Sequence, residues 1–299
     1  HYRLSEHLFR RPVAMLTETE KDLCASRPNS VSYDRVQDLH FLGNYVRRLP
    51  VNMARMMENA HDWEHLPYVH ASSFASIDLI SKGPWGWRAK IGLPGGDDYQ
   101  LLDLIVDETR HYWVSTVFSG MGTGTEIHTQ ATELSGDEIE VDVRFYLPEA
   151  PADNTVADFV LKYLTDQYRV LYDEDLGLMS GRQSALDDRI ARRDEPPGLA
   201  SVLVGDVSEL DPLGTHLVET QAGRFCVRRW RDEWIVHSAI CPHMLGPLNE
   251  AKLDERGNIT CPWHGYRFDV ATGQNIDGKC NDLAQAPRLI ERNGKLYFD

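Results

Sequence analysis

Residues 241–265, CPHMLGPLNEAKLDERGNITCPWHG, constrain this chain more than any other stretch. Cys241 and His243 form one cluster, Cys261 and His264 a second, and a 17-residue spacer separates them. Each cluster offers one thiolate and one imidazole and is followed closely by glycine. That is the donor set of a [2Fe–2S] centre in which two cysteines hold one iron and two histidines the other. Zinc also accepts two cysteines and two histidines, but zinc-finger order pairs Cys with Cys and His with His. Here each cluster mixes the two types, so each loop gives one ligand to each iron. The prolines and glycines suit two tight facing loops whose backbone N–H groups point at sulfur.

At 299 residues the chain is long enough for two domains. A formal net charge of −15 argues against nucleic acid as a partner, and no Lys- or Arg-rich tract opposes that. No apolar run approaches the roughly 20 residues that a membrane span needs. The opening HYRLSEHLFRR lacks the apolar core of a secretory signal. Beyond Cys241 and Cys261, the cysteines Cys24, Cys226 and Cys280 are scattered, which speaks for ordinary thiols in a reducing, cytoplasmic setting.

The first forty residues show no clear period. Asn52 is a suitable N-cap for a helix over 52–66, and Pro67, lacking an N–H, is expected to end or kink it. His65 and His70 would point roughly 140° apart on an unbroken helix, so the proline lets His70 swing round beside His65. Two imidazoles and a carboxylate make the facial triad of non-heme iron(II) sites. Asp62, one turn before His65, is placed to orient its imidazole. A rival pairing of His61 with His65 resembles a zincin helix, but HDWEH lacks Glu directly after the first histidine. Histidines simply packed on a capping helix are the plain alternative.

Residues 85–147 read as five strands of an antiparallel sheet, separated by the turn signals PGGDD, SGMGTG and SGDE. GMGTG at 120–124 is a hairpin turn, since no helix pattern follows it, and no nucleotide site is expected. Trp85, Trp87, Tyr112, Trp113 and Phe118 are either core or the wall of an apolar pocket. A long helix is expected over 155–190, with Val156, Val160, Leu164, Leu171 and Leu178 on one face. Asp175 falls on that apolar face, Glu174 close to it and Asp173 opposite. A carboxylate there is costly unless paired or metal-bound. Asp175 is therefore the expected third iron ligand, with Glu174 as fallback and a solvated acidic turn as the plain alternative. Gly177 is a point where the helix could loosen.

The charged, proline-rich IARRDEPPGLA supplies a linker at 193–198 between a first domain at 1–192 and a second at 199–299. Short strands with frequent turns fill the second domain. Its cluster loops are of Rieske type. Respiratory-chain Rieske proteins brace these loops with a disulfide and hydroxyl donors. At the equivalent positions this chain has Gly246 and Trp263, and Tyr266 and Phe268. Fewer hydrogen bonds to sulfur imply a lower reduction potential.

CPHMLGPL, CPWHGYRFDVATG and the first-half pattern Glu58-Asn59, Asp62, His65, His70 together resemble the Rieske non-heme iron oxygenases. The resemblance implies an α+β architecture: a helix-grip catalytic domain, an antiparallel sheet around a long helix, followed by an all-β Rieske domain. It implies a [2Fe–2S] cluster on Cys241, His243, Cys261 and His264, and mononuclear Fe(II) on His65, His70 and Asp175. Asp62 would connect the two metals. The implied activity is O2-dependent hydroxylation or demethylation of a small, largely apolar substrate, as a mono- or dioxygenase. Electrons would come from a separate ferredoxin or NAD(P)H-dependent reductase, which the basic run Arg228, Arg229 and Arg231 could dock. The family works as a ring of subunits, so a homo-oligomer, a trimer, is implied. In the family the Rieske domain comes first; here it comes last. A Rieske electron carrier fused to a hydrophobic-ligand-binding domain is the alternative that a metal-free first half would favour.

Overall fold

A computed structural model describes residues 16–193 and 201–299. The described chain divides into two compact units, with the boundary in sequence between Leu176 and Gly177. Beyond Arg193, the expected linker lies outside the described residues.

The first unit is an antiparallel sheet packed on a helix. Its strands are β1 (His40–Leu49), β2 (Ser76–Gly83), β3 (Gly86–Gly92), β4 (Tyr99–Asp107), β5 (Tyr112–Gly120), β6 (Glu126–Ser135) and β7 (Glu138–Leu147). They lie in the order β1-β7-β6-β5-β4-β3-β2. Two strands thus join the five expected from sequence. β1, HFLGNYVRRL, is a sheet edge whose alternation is interrupted by a bulge at Gly43, which is why periodicity passed over it. The GMGTG segment is the β5–β6 hairpin, closed by Gly124 N–H donating to Val117 O at 2.7 Å.

Pleating sorts the side chains into two faces. Register puts Trp87, Leu104 and Ser115 in one cross-strand row and Ala89, Leu102 and Val117 in the next. This face turns to α4 (Asn154–Ala191), where Phe145 of β7 meets the Tyr168 ring at 5.5 Å. α4 begins at Asp153, whose carboxylate accepts from Val156 N–H at 2.9 Å, and runs unbroken through Gly177. Val156, expected on the packed face, is 42% exposed, so the apolar stripe starts later, near Val160.

The opposite face carries Arg88, Lys90, Asp103, Glu126 and His128, all buried. They are covered by the chain before β1, which holds α1 (Glu18–Ser26). Four polar contacts fasten that segment: Glu20 to Lys90 at 3.4 Å, Arg27 to Asp103 at 2.8 Å, Tyr33 to Asp107 at 2.7 Å and Arg35 to Glu126 at 3.4 Å. Asp103 is fully buried and also accepts from Arg88 at 3.4 Å. This covering explains why β3 is buried at six successive positions and does not alternate.

A break between two helices sets the site residues. α2 (Met53–His61) starts at the N-cap Asn52, whose side chain accepts from Arg55 N–H. It ends five residues before the expected stop, with Asp62 as its C-cap and the Asp62 carboxylate accepting from Glu64 N–H at 3.2 Å. Pro67 sits in the first turn of a second short helix, α3 (Leu66–Val69). The proline therefore starts a helix where sequence reasoning had it end one. A first-turn position suits it, because the N–H it lacks has no partner there anyway.

The second unit contains three small antiparallel sheets. β11 (Glu233–Ser238), β10 (Gly223–Trp230) and β9 (Thr215–Thr220) form one. β14 (Leu289–Arg292), β15 (Lys295–Phe298) and β8 (Val202–Asp206) form another, and β12 (Asn258–Thr260) pairs with β13 (Arg267–Asp269). Phe225, Val227, Leu296 and Phe298 make the core. Both domains together are α+β, as the resemblance implied.

Replacing Asp103 with alanine leaves the Arg88 guanidinium buried without a carboxylate. Chemical denaturation should show a loss of about 3–5 kcal/mol. Arg48→Ala removes an exposed pair with Glu140 and should cost less than about 1 kcal/mol.

Candidate metal centres

In the first unit, α3 is flanked by its N-cap His65 and its C-cap His70. One short turn of helix therefore brings the two rings to 5.1 Å between centroids. Asp175 comes from α4. Its Oδ1 lies 3.0 Å from His70 Nε2 and 3.4 Å from His65 Nε2, and the two Nε2 atoms are 3.3 Å apart. The three ligand atoms all fall within 4.8 Å of one another, and all three residues are buried. The far side of each ring faces a carboxylate: His70 Nδ1 meets Glu174 Oε2 at 2.7 Å, and His65 Nδ1 lies 3.4 Å from Asp62 Oδ2. Asn59 Nδ2 donates to Asp175 Oδ1 at 3.1 Å.

Carboxylates behind imidazoles fix the tautomer that presents Nε2 inward, the usual support of metal-bound histidine. Burial pushes the His65 imidazole down, but bonds to Asp175 and Asp62 outweigh it and lift its pKa to about 10. Burial likewise works against the Asp175 charge, yet His65 and His70 hold its carboxyl well below the usual carboxylate range. Two inward nitrogens and one carboxylate oxygen on a single point fit a divalent iron with open positions. Glu174, the fallback ligand, is instead the partner of His70. Asp173 is exposed and pairs with Arg47. His61 turns away to Glu108 at 3.1 Å, so the zincin-like pairing with His65 does not form.

Next to these residues lies a cavity of about 120 Å³. Trp87 and Trp113 line it, whereas Trp85, Tyr112 and Phe118 do not. Trp85 lies under Arg88, Tyr112 bonds His128 and Phe118 lies under Arg27.

In the second unit the two ligand loops are built alike. Cys241 N–H donates to Gly246 O at 2.9 Å and Leu245 N–H returns to Cys241 O at 3.1 Å. Cys261 N–H donates to Tyr266 O at 2.8 Å and Gly265 N–H returns to Cys261 O at 2.9 Å. Both thiols are buried and face each other: the shared hydrogen bond raises Cys241 and lowers Cys261. The His243 and His264 rings stand 4.6 Å apart, nearly perpendicular. Two thiols and two imidazoles from facing loops fit a [2Fe–2S] cluster.

At the positions equivalent to a bracing disulfide, Gly246 lies against the Trp263 ring; a Cβ on Gly246 would stand 3.1 Å from the ring and 2.8 Å from Cys261 Sγ. All five cysteines are free. The Tyr266 ring lies 4.5 Å from that of His243, tilted, with Lys279 Nζ over it at 5.6 Å, contacts that sequence reading missed. The basic run is corrected as well. Arg228 is buried and donates to the carbonyls of Leu248, Asn249 and Ala251, so it anchors the chain after the first loop and is no part of a docking surface. Its place on β10 beside buried Cys226, two residues back on the same face, was the available signal.

Gly246→Val places methyl groups where Cys261 Sγ and Trp263 lie. It should abolish the visible iron–sulfur absorption while the first unit keeps its secondary structure by circular dichroism.

Residues 200–287 match the family model of the Rieske [2Fe-2S] domain. A 61-residue stretch is 38% identical to the chloroplastic pheophorbide a oxygenase of Oryza sativa subsp. japonica, over 19% of this chain and 10% of that protein. A 59-residue stretch is 39% identical to the chloroplastic flavonoid 8-hydroxylase 2 of Ocimum basilicum, over 20% and 10%. These matches span about a tenth of those relatives' length. Among solved structures, the Zhui aromatase/cyclase from Streptomyces sp. R1128 aligns with 48% of this chain and 95% of its own, at 10% identity and a TM-score of 0.40. No helix of the described residues is long and apolar enough to cross a membrane. This chain carries a Rieske [2Fe–2S] domain at its carboxy-terminal end, related in sequence to part of a plant oxygenase and of a plant hydroxylase.

Proposed function

We propose that the chain is the terminal oxygenase of a Rieske non-heme iron system, with a catalytic domain at 1–192, a linker at 193–198 and the Rieske domain at 199–299. The observation that carries this reading is the convergence of His65, His70 and Asp175 on one buried point, in a chain that also carries a Rieske domain. An electron carrier with a plain ligand-binding domain has no use for such a set.

Cys241, His243, Cys261 and His264 would hold the cluster, and His65, His70 and Asp175 a mononuclear Fe(II). Loaded, these centres supply one-electron transfer and O2 activation. The chain's own residues do the rest. Glu174 and Asp62 keep the two imidazoles oriented, and Asn59 fixes the Asp175 carboxylate. Asp62 lies in the α2–α3 break beside His65, where it is suited to couple the iron to the electron supply. The apolar cavity wall excludes water and packs a small organic substrate against the iron. Hydroxylation of a carbon follows, or loss of an N- or O-methyl group where that carbon is the methyl. A ferredoxin or NAD(P)H-dependent reductase provides electrons. A homo-oligomeric, trimeric assembly in the cytoplasm completes the proposal.

Metal analysis of the loaded protein should give about three irons per chain, two in the cluster and one on the triad; two would favour the electron carrier. His65→Ala should remove mononuclear iron and substrate oxidation while leaving the cluster's absorption intact. Continued turnover in that variant would sink the triad assignment. Asp62→Asn should retain both metals yet slow single-turnover oxidation by tenfold or more, the loss expected of a group that works on the chemical step; an unchanged rate removes its coupling role.

A further inference from the structure

We infer that the cavity beside His65, His70 and Asp175 takes a neutral organic molecule, one aromatic ring wide at its reacting end, whose oxygen is held by Ser115 and Tyr168. The inference rests on the oxygenase reading and adds the substrate class.

Size comes first. The cavity holds about 120 Å³, and an apolar cavity of roughly 150 Å³ admits benzene. One ring therefore fills the space beside the triad. Aromatic and aliphatic groups (Met56, Leu66, Phe74, Trp87, Leu102 and Trp113 among them) make most of the wall.

Charge comes second. Among the described residues, no lysine or arginine lines the cavity. Its carboxylates, Asp62 and Asp175, are both engaged with His65 at 3.4 Å. A substrate carboxylate would enter with no counter-charge in the wall, and a substrate cation would meet only carboxylates already taken. Either would lose its hydration uncompensated.

Polar anchors come third. Most hydrogen-bonding groups in the wall are committed. Asn59 donates to Asp175, Trp87 Nε1 donates to Ala60 O at 3.0 Å, and the Tyr172 phenol lies beside Thr129. Ser115 on β5 and Tyr168 on α4 are the other hydroxyls of the wall, lining the cavity from sheet and helix. Burial alone lifts the Tyr168 phenol, with no hydrogen bond contributing, so it stays protonated and able to donate. Tyr168 precedes Asp175 by seven residues, two turns or roughly 10 Å along the axis, on the same helix face. An oxygen bound there leaves the far end of the ring facing the triad.

The test is calorimetric titration of the fully loaded chain with anisole, toluene, benzoate and benzylammonium. Anisole should bind about three- to tenfold more tightly than toluene, the worth of one net hydrogen bond. Benzoate and benzylammonium should bind at least 100-fold more weakly than anisole. Tyr168→Phe and Ser115→Ala, both nearly isosteric, should each weaken anisole several-fold and leave toluene within twofold, with the cluster's absorption unchanged. The inference is overturned if benzoate or benzylammonium matches anisole, if no ring probe binds, or if neither variant separates anisole from toluene. Binding needs no turnover, so the two readings fail apart. Selective anisole binding without any oxidation would keep the cavity assignment and remove the oxygenase. Oxidation of charged ring compounds in preference to neutral ones would do the reverse.

Discussion

A carboxylate on the apolar stripe of a helix must be compensated where it sits, and much of the first unit follows from how Asp175 is compensated. α4 carries Tyr168, Leu171, Tyr172 and Asp175 along one face, so the residues that wall the cavity and the residue that closes the triad share one rigid element. The compensation comes from a different part of the chain, more than a hundred residues earlier, where α2 stops and α3 begins. Only a break there lets two imidazoles reach the same oxygen. A continuous helix through Asp62 would carry His70 away from His65. The seven-stranded sheet supplies the apolar surroundings in which these charges are strong.

Legibility in the sequence followed the strength of the local signal. Asp175 could be read because a charge on a periodic apolar face violates a simple rule, and 3.6-residue geometry then separates it from Asp173 two positions away. The cluster loops could be read because two cysteines and two histidines at this fixed spacing have few other uses. What escaped depends on partners distant in sequence. β1 is an edge strand whose alternation is interrupted by a bulge at Gly43, and it is defined by pairing with β7. Pro67 fits both a helix end and a first turn, and the choice rests on Asp62 capping α2. Arg228 looked like a solvent-facing member of a basic run until the carbonyls of residues 248, 249 and 251 were folded over it. Tyr266 registered only as a lost hydroxyl position, since a ring contact with His243 leaves no trace in spacing.

The Rieske domain replaces a covalent brace with packing. Where a disulfide would tie the loops, Gly246 lets the Trp263 ring and the Cys261 sulfur approach more closely than any larger residue allows. Arg228 ties the exit of the first loop from below with three carbonyl bonds. A guanidinium suits this duty, since its fixed fork of donors reaches several carbonyls at once. The loops are held by shape and hydrogen bonds, and the tyrosine ring beside His243 takes the place of a sulfur-directed hydroxyl.

The two buried polar sets of the first unit show why one reads as scaffold and the other as site. On the outer face, Arg27, Arg88 and Asp103 alternate positive and negative, and Glu20 meets Lys90. Two guanidiniums share the Asp103 carboxylate and Glu20 faces Lys90, so opposite charges cancel in place and the set fastens one segment to the sheet. On the inner face, two imidazole nitrogens and a carboxylate oxygen converge, each braced from behind and opening on an apolar cavity. As packing alone, that arrangement is inferior to hydrophobic residues of the same volume. Buried polar groups of this kind persist where a ligand uses them, and the violation of local rules at His65, His70 and Asp175 is concentrated on a space the size of one cation. The same reasoning separates Asp62 and Glu174 from ordinary surface acids: each lies behind an imidazole, where its charge acts on the nitrogen that faces inward.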